Sequence, residues 1–160
     1  MPATAPPPTP PCRVVIVRHY KEYLPKCTLE PLHGRPGFEF HKARPDFQLD
    51  ATGMTLLAVD APELTAADAT RPLLLLDATW RLLPALLRGV RGAFVPRSLP
   101  RTVHTAYPRR SKVFSDPEPG LASVEALYAA LRILGHDDRS LLAGYHWREA
   151  FLRQFDATGT

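Results

Sequence analysis

Two short runs without a polar residue constrain this chain more than any other feature: Val14-Val15-Ile16-Val17 and Leu73-Leu74-Leu75-Leu76. Strand side chains alternate between two faces, so a run that is apolar at every position is buried on both. The first, within Arg13–Arg18, is β-branched and reads as an opening strand. The second, closed by Asp77, reads as a central strand. Three shorter segments add to the pattern. Phe38-Glu39-Phe40 suggests a brief strand inside the Pro- and Gly-rich stretch from Tyr23 to Pro45. Thr55–Val59 reads as a strand that stops at Asp60-Ala61-Pro62, and Ala93-Phe94-Val95 as another.

Helical segments lie between and after these strands. Thr65 is placed to cap a short helix from Thr65 to Asp68. Trp80–Leu87 has apolar residues at helical spacing. Pro84 is tolerated only in a first turn, so the helix proper starts near Leu82 and ends at Gly89 and Gly92. Leu121–Leu134 is the clearest helix, with Val124, Leu127, Leu131 and Leu134 on one face and Gly135 as its stop. Asp138–Phe155 reads as a second long helix. Strands alternating with helices imply an α/β sheet that is at least partly parallel.

A chain of 160 residues fits one domain with a small N-terminal lobe. Residues 1–12 read as a disordered Pro-rich tail, 13–71 as the lobe and 72–156 as the main domain. The tail has neither the basic start nor the apolar centre of a secretory signal, and no apolar run approaches the roughly 20 residues of a membrane helix. Two cysteines, Cys12 and Cys27, build neither a disulfide framework nor a four-cysteine zinc site. The expectation is reduced thiols in a cytoplasmic protein. The six histidines include no pair at i,i+4, so no metal is expected.

Charge is distributed unevenly. Residues 78–115 contain no acid but hold eight of the 20 Lys and Arg residues. A block this one-sided attracts polyanions such as RNA; the plainer alternative is a solvated basic face. Much of it lies in Pro96–Pro119, which has five prolines and reads as a long loop. Loops of that length inside small domains carry function or are disordered.

Asp77 is the most informative single residue. In α/β sheets ligands bind beyond the carboxyl ends of strands, and a carboxylate there can take a proton or orient a group. It can equally cap the following helix together with Thr79. Trp80 can stack on a base or fill the core. Leu121–Ala126 opens a helix whose first amides can receive a carboxylate or phosphate. There is no Gly-x-Gly-x-x-Gly or Gly-Lys-Ser/Thr loop, which disfavours a nucleotide held by such loops.

Asp77-Ala78-Thr79-Trp80 resembles the Asp-x-Thr/Ser-Trp signature of a superfamily of aminocarboxypropyltransferases. That superfamily joins DTW-domain tRNA-uridine enzymes to ribosome-biogenesis enzymes that modify small-subunit rRNA. Lys26-Cys27-Thr28, Arg97-Ser98-Leu99-Pro100, Leu121–Ala126 and Tyr145–Leu152 resemble further motifs of the rRNA branch, in the same order. Leu29 replaces that branch's Gly, and His104-Thr105-Ala106-Tyr107 replaces its Asn-Pro segment. Tyr107-Pro108-Arg109-Arg110 and Pro117–Leu121 are closer to the tRNA branch, whose N-terminal cysteine cluster is missing.

The resemblance implies a SPOUT-like α/β domain with a C-terminal trefoil knot behind a small N-terminal lobe. It implies S-adenosylmethionine as cofactor and transfer of its 3-amino-3-carboxypropyl group to a uridine or pseudouridine ring nitrogen, with small-subunit rRNA favoured over tRNA. Thr28, Leu57, Leu76, Trp80, Leu99, Tyr107, Leu121 and Ser123 would surround the cofactor. Asp77 would orient the amino group or accept the ring proton. Arg97, Arg101, Arg109, Arg110 and Lys112 would hold RNA phosphates. The alternatives are a SPOUT-type RNA methyltransferase and a non-catalytic RNA-binding ribosome-assembly factor.

Overall fold

In the computed structural model, which describes residues 10, 12–21, 28–78, 81–106 and 121–156, the two apolar runs lie side by side. The strands are β1 (Val14–His19), β2 (Phe38–Ala43), β3 (Leu49–Asp50), β4 (Thr55–Leu57), β5 (Leu73–Asp77), β6 (Val90–Arg91) and β7 (Val95–Arg97). The helices are α1 (Leu83–Arg88), α2 (Ser123–Ile133) and α3 (Arg148–Asp156). Five strands form one sheet in the order β2-β1-β5-β4-β7, and every pairing in it is parallel. A separate parallel pair joins β3 to β6.

The register explains the unbroken apolar runs. Val14 pairs with Leu73 and Ile16 with Leu75, so these four share a face. They pack with Val124, Leu127, Leu131, Phe151 and other residues of α2 and α3. Val15, Val17, Leu74 and Leu76 point the other way, against Leu56, Leu86 and Val90. All eight run residues are buried, so neither strand has a solvent side. At about 1.5–3 kcal/mol for each large apolar side chain buried, these two strands supply much of the drive to fold. Strands from both sides of residue 72 share the sheet: β1, β2 and β4 precede it, and β5 and β7 follow.

Several boundaries differ from those read in the sequence. β2 extends to Ala43 because it pairs with β1 along its whole length. β4 ends at Leu57; Val59 is 81% exposed and Asp60 turns the chain at φ 54°. The expected strand at Ala93–Val95 is shifted to Val95–Arg97, because Gly92 at φ 92° makes a turn first. Thr65 stands at the N-cap of a 3-10 turn at Ala66–Thr70, where the Asp68 carboxylate reaches back to accept from the Thr65 amide.

The long helix expected over Asp138–Phe155 is two pieces. Asp138 accepts from the amide and hydroxyl of Ser140 and closes a 3-10 turn at Arg139–Leu142. Gly144, a poor helix former, lies in the break before α3. The pair β3 and β6 had no signal in the sequence, since two-residue strands carry no periodicity.

Candidate active site at the end of the central strand

All five strands of the main sheet run the same way, so their carboxyl ends form one edge. Asp77 closes the central strand there and is 4% exposed. It falls on the same face as Leu73 and Leu75, towards α2. The Ser123 hydroxyl, in the first turn of α2, donates to Asp77 Oδ1 at 2.6 Å. The carboxylate and the helix start are thereby tied across 46 residues of sequence.

α2 begins at Ala122, whose methyl side chain cannot cap. Two distant groups act in its place. The Thr28 hydroxyl accepts from the Val124 amide at 3.1 Å. The Glu125 carboxylate turns back to accept from the Ala122 amide at 2.8 Å. Glu125 is fully buried and also accepts from the Thr105 hydroxyl at 2.6 Å and the Ala106 amide at 2.9 Å. It therefore fixes the loop before residue 107 to the helix. From the other side, Gln154 of α3 brackets His104: its Oε1 accepts from the amide and its Nε2 donates to the carbonyl, both at 2.8 Å.

Of the residues singled out in the sequence, Asp77, Thr28 and Ser123 converge. Leu57, Leu99 and Leu121 are half-buried and pack against the core cluster on the α2 face. Leu76 sends its side chain into the opposite cluster, so beside Asp77 it presents its backbone to the carboxyl edge. Thr79, Trp80, Tyr107, Arg109, Arg110, Lys112, Lys26, Cys27 and the tail apart from Pro10 and Cys12 lie outside the described residues.

Two arginines expected on phosphates stand differently. Arg97 reaches Asp68 with Nε at 3.4 Å and is occupied in bracing the 3-10 turn rather than in presenting a bare charge. Arg101 is exposed and only 3.8 Å from Asp60, a contact that solvent screens.

Sequence reading missed Arg18 and the role of Glu125. Arg18 closes the first apolar run just as Asp77 closes the second, and the register sets the two opposite each other. Arg18 is 7% exposed, pairs with Glu30, and lies 4.5 Å from the centroid of the Phe40 ring. A charge ending a fully apolar strand was the available signal. Glu125 stood in a quoted motif, but nothing local showed that it reaches residues 105 and 106. Among the described residues, no three His, Cys, Asp or Glu side chains gather as metal ligands would. No described helix is long and apolar enough to cross a membrane.

No protein-family model matches this chain, and no curated protein matches it either. A solved structure does. The SAM-dependent rRNA:acp-transferase Tsr3 from Vulcanisaeta distributa superposes with a TM-score of 0.66 at 27% identity, over 89% of this chain and 77% of that one. The mixed α/β architecture with its parallel sheet is thus shared with an S-adenosylmethionine-dependent transferase.

Proposed function

We propose that the chain is an S-adenosylmethionine-dependent transferase that moves the 3-amino-3-carboxypropyl group onto a uridine or pseudouridine ring nitrogen of RNA, with small-subunit rRNA as the acceptor. One observation carries the reading. Asp77, Ser123 and Thr28, far apart in sequence, meet at the carboxyl edge of the central strand in a fold similar to Tsr3.

The residues suit such a cofactor. Leu57, Leu99 and Leu121 offer half-buried apolar surface on the face where Asp77 offers a carboxylate. S-adenosylmethionine has no phosphate, which agrees with a sequence that has no glycine-rich phosphate loop. When bound, it supplies an electrophilic γ-carbon, which the ring nitrogen attacks as methylthioadenosine leaves. The protein's part is positional. Ser123 holds Asp77 in one rotamer, and Asp77 orients the amino group of the arm or takes the ring proton. Thr28 and Glu125 fix the start of α2 and so the reach of Ser123. Trp80 and Tyr107 complete the cofactor's surroundings on this reading, and Arg101, Arg109, Arg110 and Lys112 hold RNA backbone. The same reading includes a SPOUT-like C-terminal trefoil knot, kinship with the DTW-domain enzymes, a lobe before residue 72 and a cytoplasmic site of action.

Calorimetry with S-adenosylmethionine, followed by product analysis on RNA from the native host, tests it. Methylthioadenosine is expected; S-adenosylhomocysteine would make the protein a methyltransferase. No binding at millimolar ligand would leave an RNA-binding assembly factor. Asp77→Ala should abolish transfer while the thermal transition stays cooperative.

A further inference from the structure

A recess lies at the same sheet edge, on the face opposite Asp77. A cavity of about 370 Å3 opens where β1 and β2 end, between the turn after β2 and the C-terminal end of α1. That volume falls within the roughly 300–1,000 Å3 of small-molecule sites. It is on the α1 face, whereas Asp77 points to the α2 face.

Its charge is one-sided. Arg44, Arg88 and Arg91 line it against a single carboxylate, Asp46. All three arginines are exposed, and among the described residues none of their guanidiniums makes a hydrogen bond or ion pair. Elsewhere Arg18, Arg35, Arg71, Arg97 and Arg139 each hold a carboxylate. The C-terminal end of α1 contributes only about half a negative charge, so the recess stays positive. Its wall also carries a flat surface. The rings of His19 and Tyr20 stack at 4.7 Å between centroids and 26° between planes, and Tyr20 is 38% exposed. The Lys21 ammonium lies 5.7 Å from the Tyr20 centroid. Guanidiniums around the exposed Tyr20 ring, which His19 backs from the buried side, suit a phosphate and a base together.

We propose that this cleft binds one nucleotide of the RNA, its flanking phosphates on Arg44, Arg88 and Arg91 and its base against Tyr20. The proposal rests on the reading of the chain as an RNA-modifying enzyme. Position supports it: Arg18 and His19 are neighbours on β1, one on the Asp77 face and one at the cleft. A single strand crossing the carboxyl edge reaches both.

The test is fluorescence anisotropy of a labelled 20-nucleotide oligouridylate with the full chain over a KCl series. The double variant R88A/R91A should bind about tenfold more weakly, with a salt slope shallower by about 1.4, at ~0.7 for each single-strand phosphate released. Tyr20→Ala should weaken binding about tenfold with the slope unchanged, since stacking releases no counterions. A merely structural role would not separate the two slopes. Arg44→Ala, on an exposed turn, repeats the first arm independently, and melting curves confirm folding. Wild-type affinity and slope in all three variants would overturn the proposal. So would a loss of inorganic phosphate binding with RNA affinity intact, which would make the cleft a free-anion site. Calorimetry with S-adenosylmethionine on the same proteins separates the two readings. If the wild type fails to bind it but the variants lose RNA, the transferase reading falls and the cleft stands. If cofactor binding is normal and RNA binding is unmoved, the cleft alone falls.

Discussion

Glu125 is the side chain on which the local order of the site depends most. Its carboxylate accepts three hydrogen bonds while fully buried: Oε1 from the Ala122 amide and the Thr105 hydroxyl, Oε2 from the Ala106 amide. Glu125→Gln keeps one oxygen but sets an amide NH2 against the Ala106 N–H, donor facing donor. One charge-assisted bond is lost, worth about 1.5–3 kcal/mol, and the remaining two weaken as the charge goes. We expect about 2–3 kcal/mol of destabilisation. Glu125→Ala leaves all three donors without their acceptor. Water reaches the half-buried loop but not the Ala122 amide, so the cost should be larger, about 3–5 kcal/mol. For a chain of this size 1 kcal/mol moves Tm by roughly 2–4 °C, so the Gln variant should melt about 4–12 °C lower. Urea denaturation would give the free energies directly, with m unchanged if only the native state is affected. Proteolysis should also open at His104–Ala106 in the variants first. If both variants melt within 2 °C of wild type, the loop and helix are not held through this carboxylate.

Other outcomes follow from single contacts. Gly89→Ala would place a Cβ 2.4 Å from the Phe47 carbonyl oxygen, backbone that cannot move aside cheaply; urea titration should show about 1–3 kcal/mol lost, and no loss would mean that β3 and β6 shift freely. Thr28→Ala removes the acceptor that caps α2, at about 0.5–2 kcal/mol by thermal unfolding, whereas Thr28→Ser should keep most of it. Burial would raise the Asp138 pKa, but the Ser140 hydroxyl and amide and the Arg35 guanidinium outweigh it and hold the carboxyl below its usual value. A depressed acid stabilises the fold above the unfolded pKa, near 3.9, and loses that contribution as pH falls through the folded value. Tm should therefore drop below about pH 4 in the wild type, and drop less steeply in Asp138→Asn; parallel curves would refute the assignment.

What the sequence disclosed was set by how local each signal is. Burial on both faces is written into each apolar run residue by residue, so β1 and β5 could be read directly. The parallel sense followed from the helices between strands. Asp77 was legible because a charge directly after four leucines has few places to be. Its direct bond to Ser123 was not, although the resemblance set both at one site: Ser123 lies 46 residues away, and only the packing of α2 across the sheet brings the two side chains together. Leu76, which the family resemblance set beside the cofactor, turns its side chain to the face opposite Asp77, as strand alternation requires of neighbours. Arg97 stands in the basic window, but the acid it meets, Asp68, lies outside that window, so its ion pair left no local sign. The break in the last helix followed from a capping carboxylate and a glycine that apolar periodicity outvoted.

The order of strands also says something about synthesis. β5 sits between β1 and β4, yet both are made before it. A chain released at residue 72 would leave open one edge of β1 and both edges of β4, since the partners of those edges, β5 and β7, are made later. Pairing β1 with β4 would satisfy their backbones and leave no gap for the leucines that arrive next. Such a mispaired intermediate would be prone to aggregate, as slow parallel topologies are. Truncations before Leu73 should therefore be recovered as insoluble material, and solubility should return only once the chain extends through α3, which with α2 covers one face of β1 and β5.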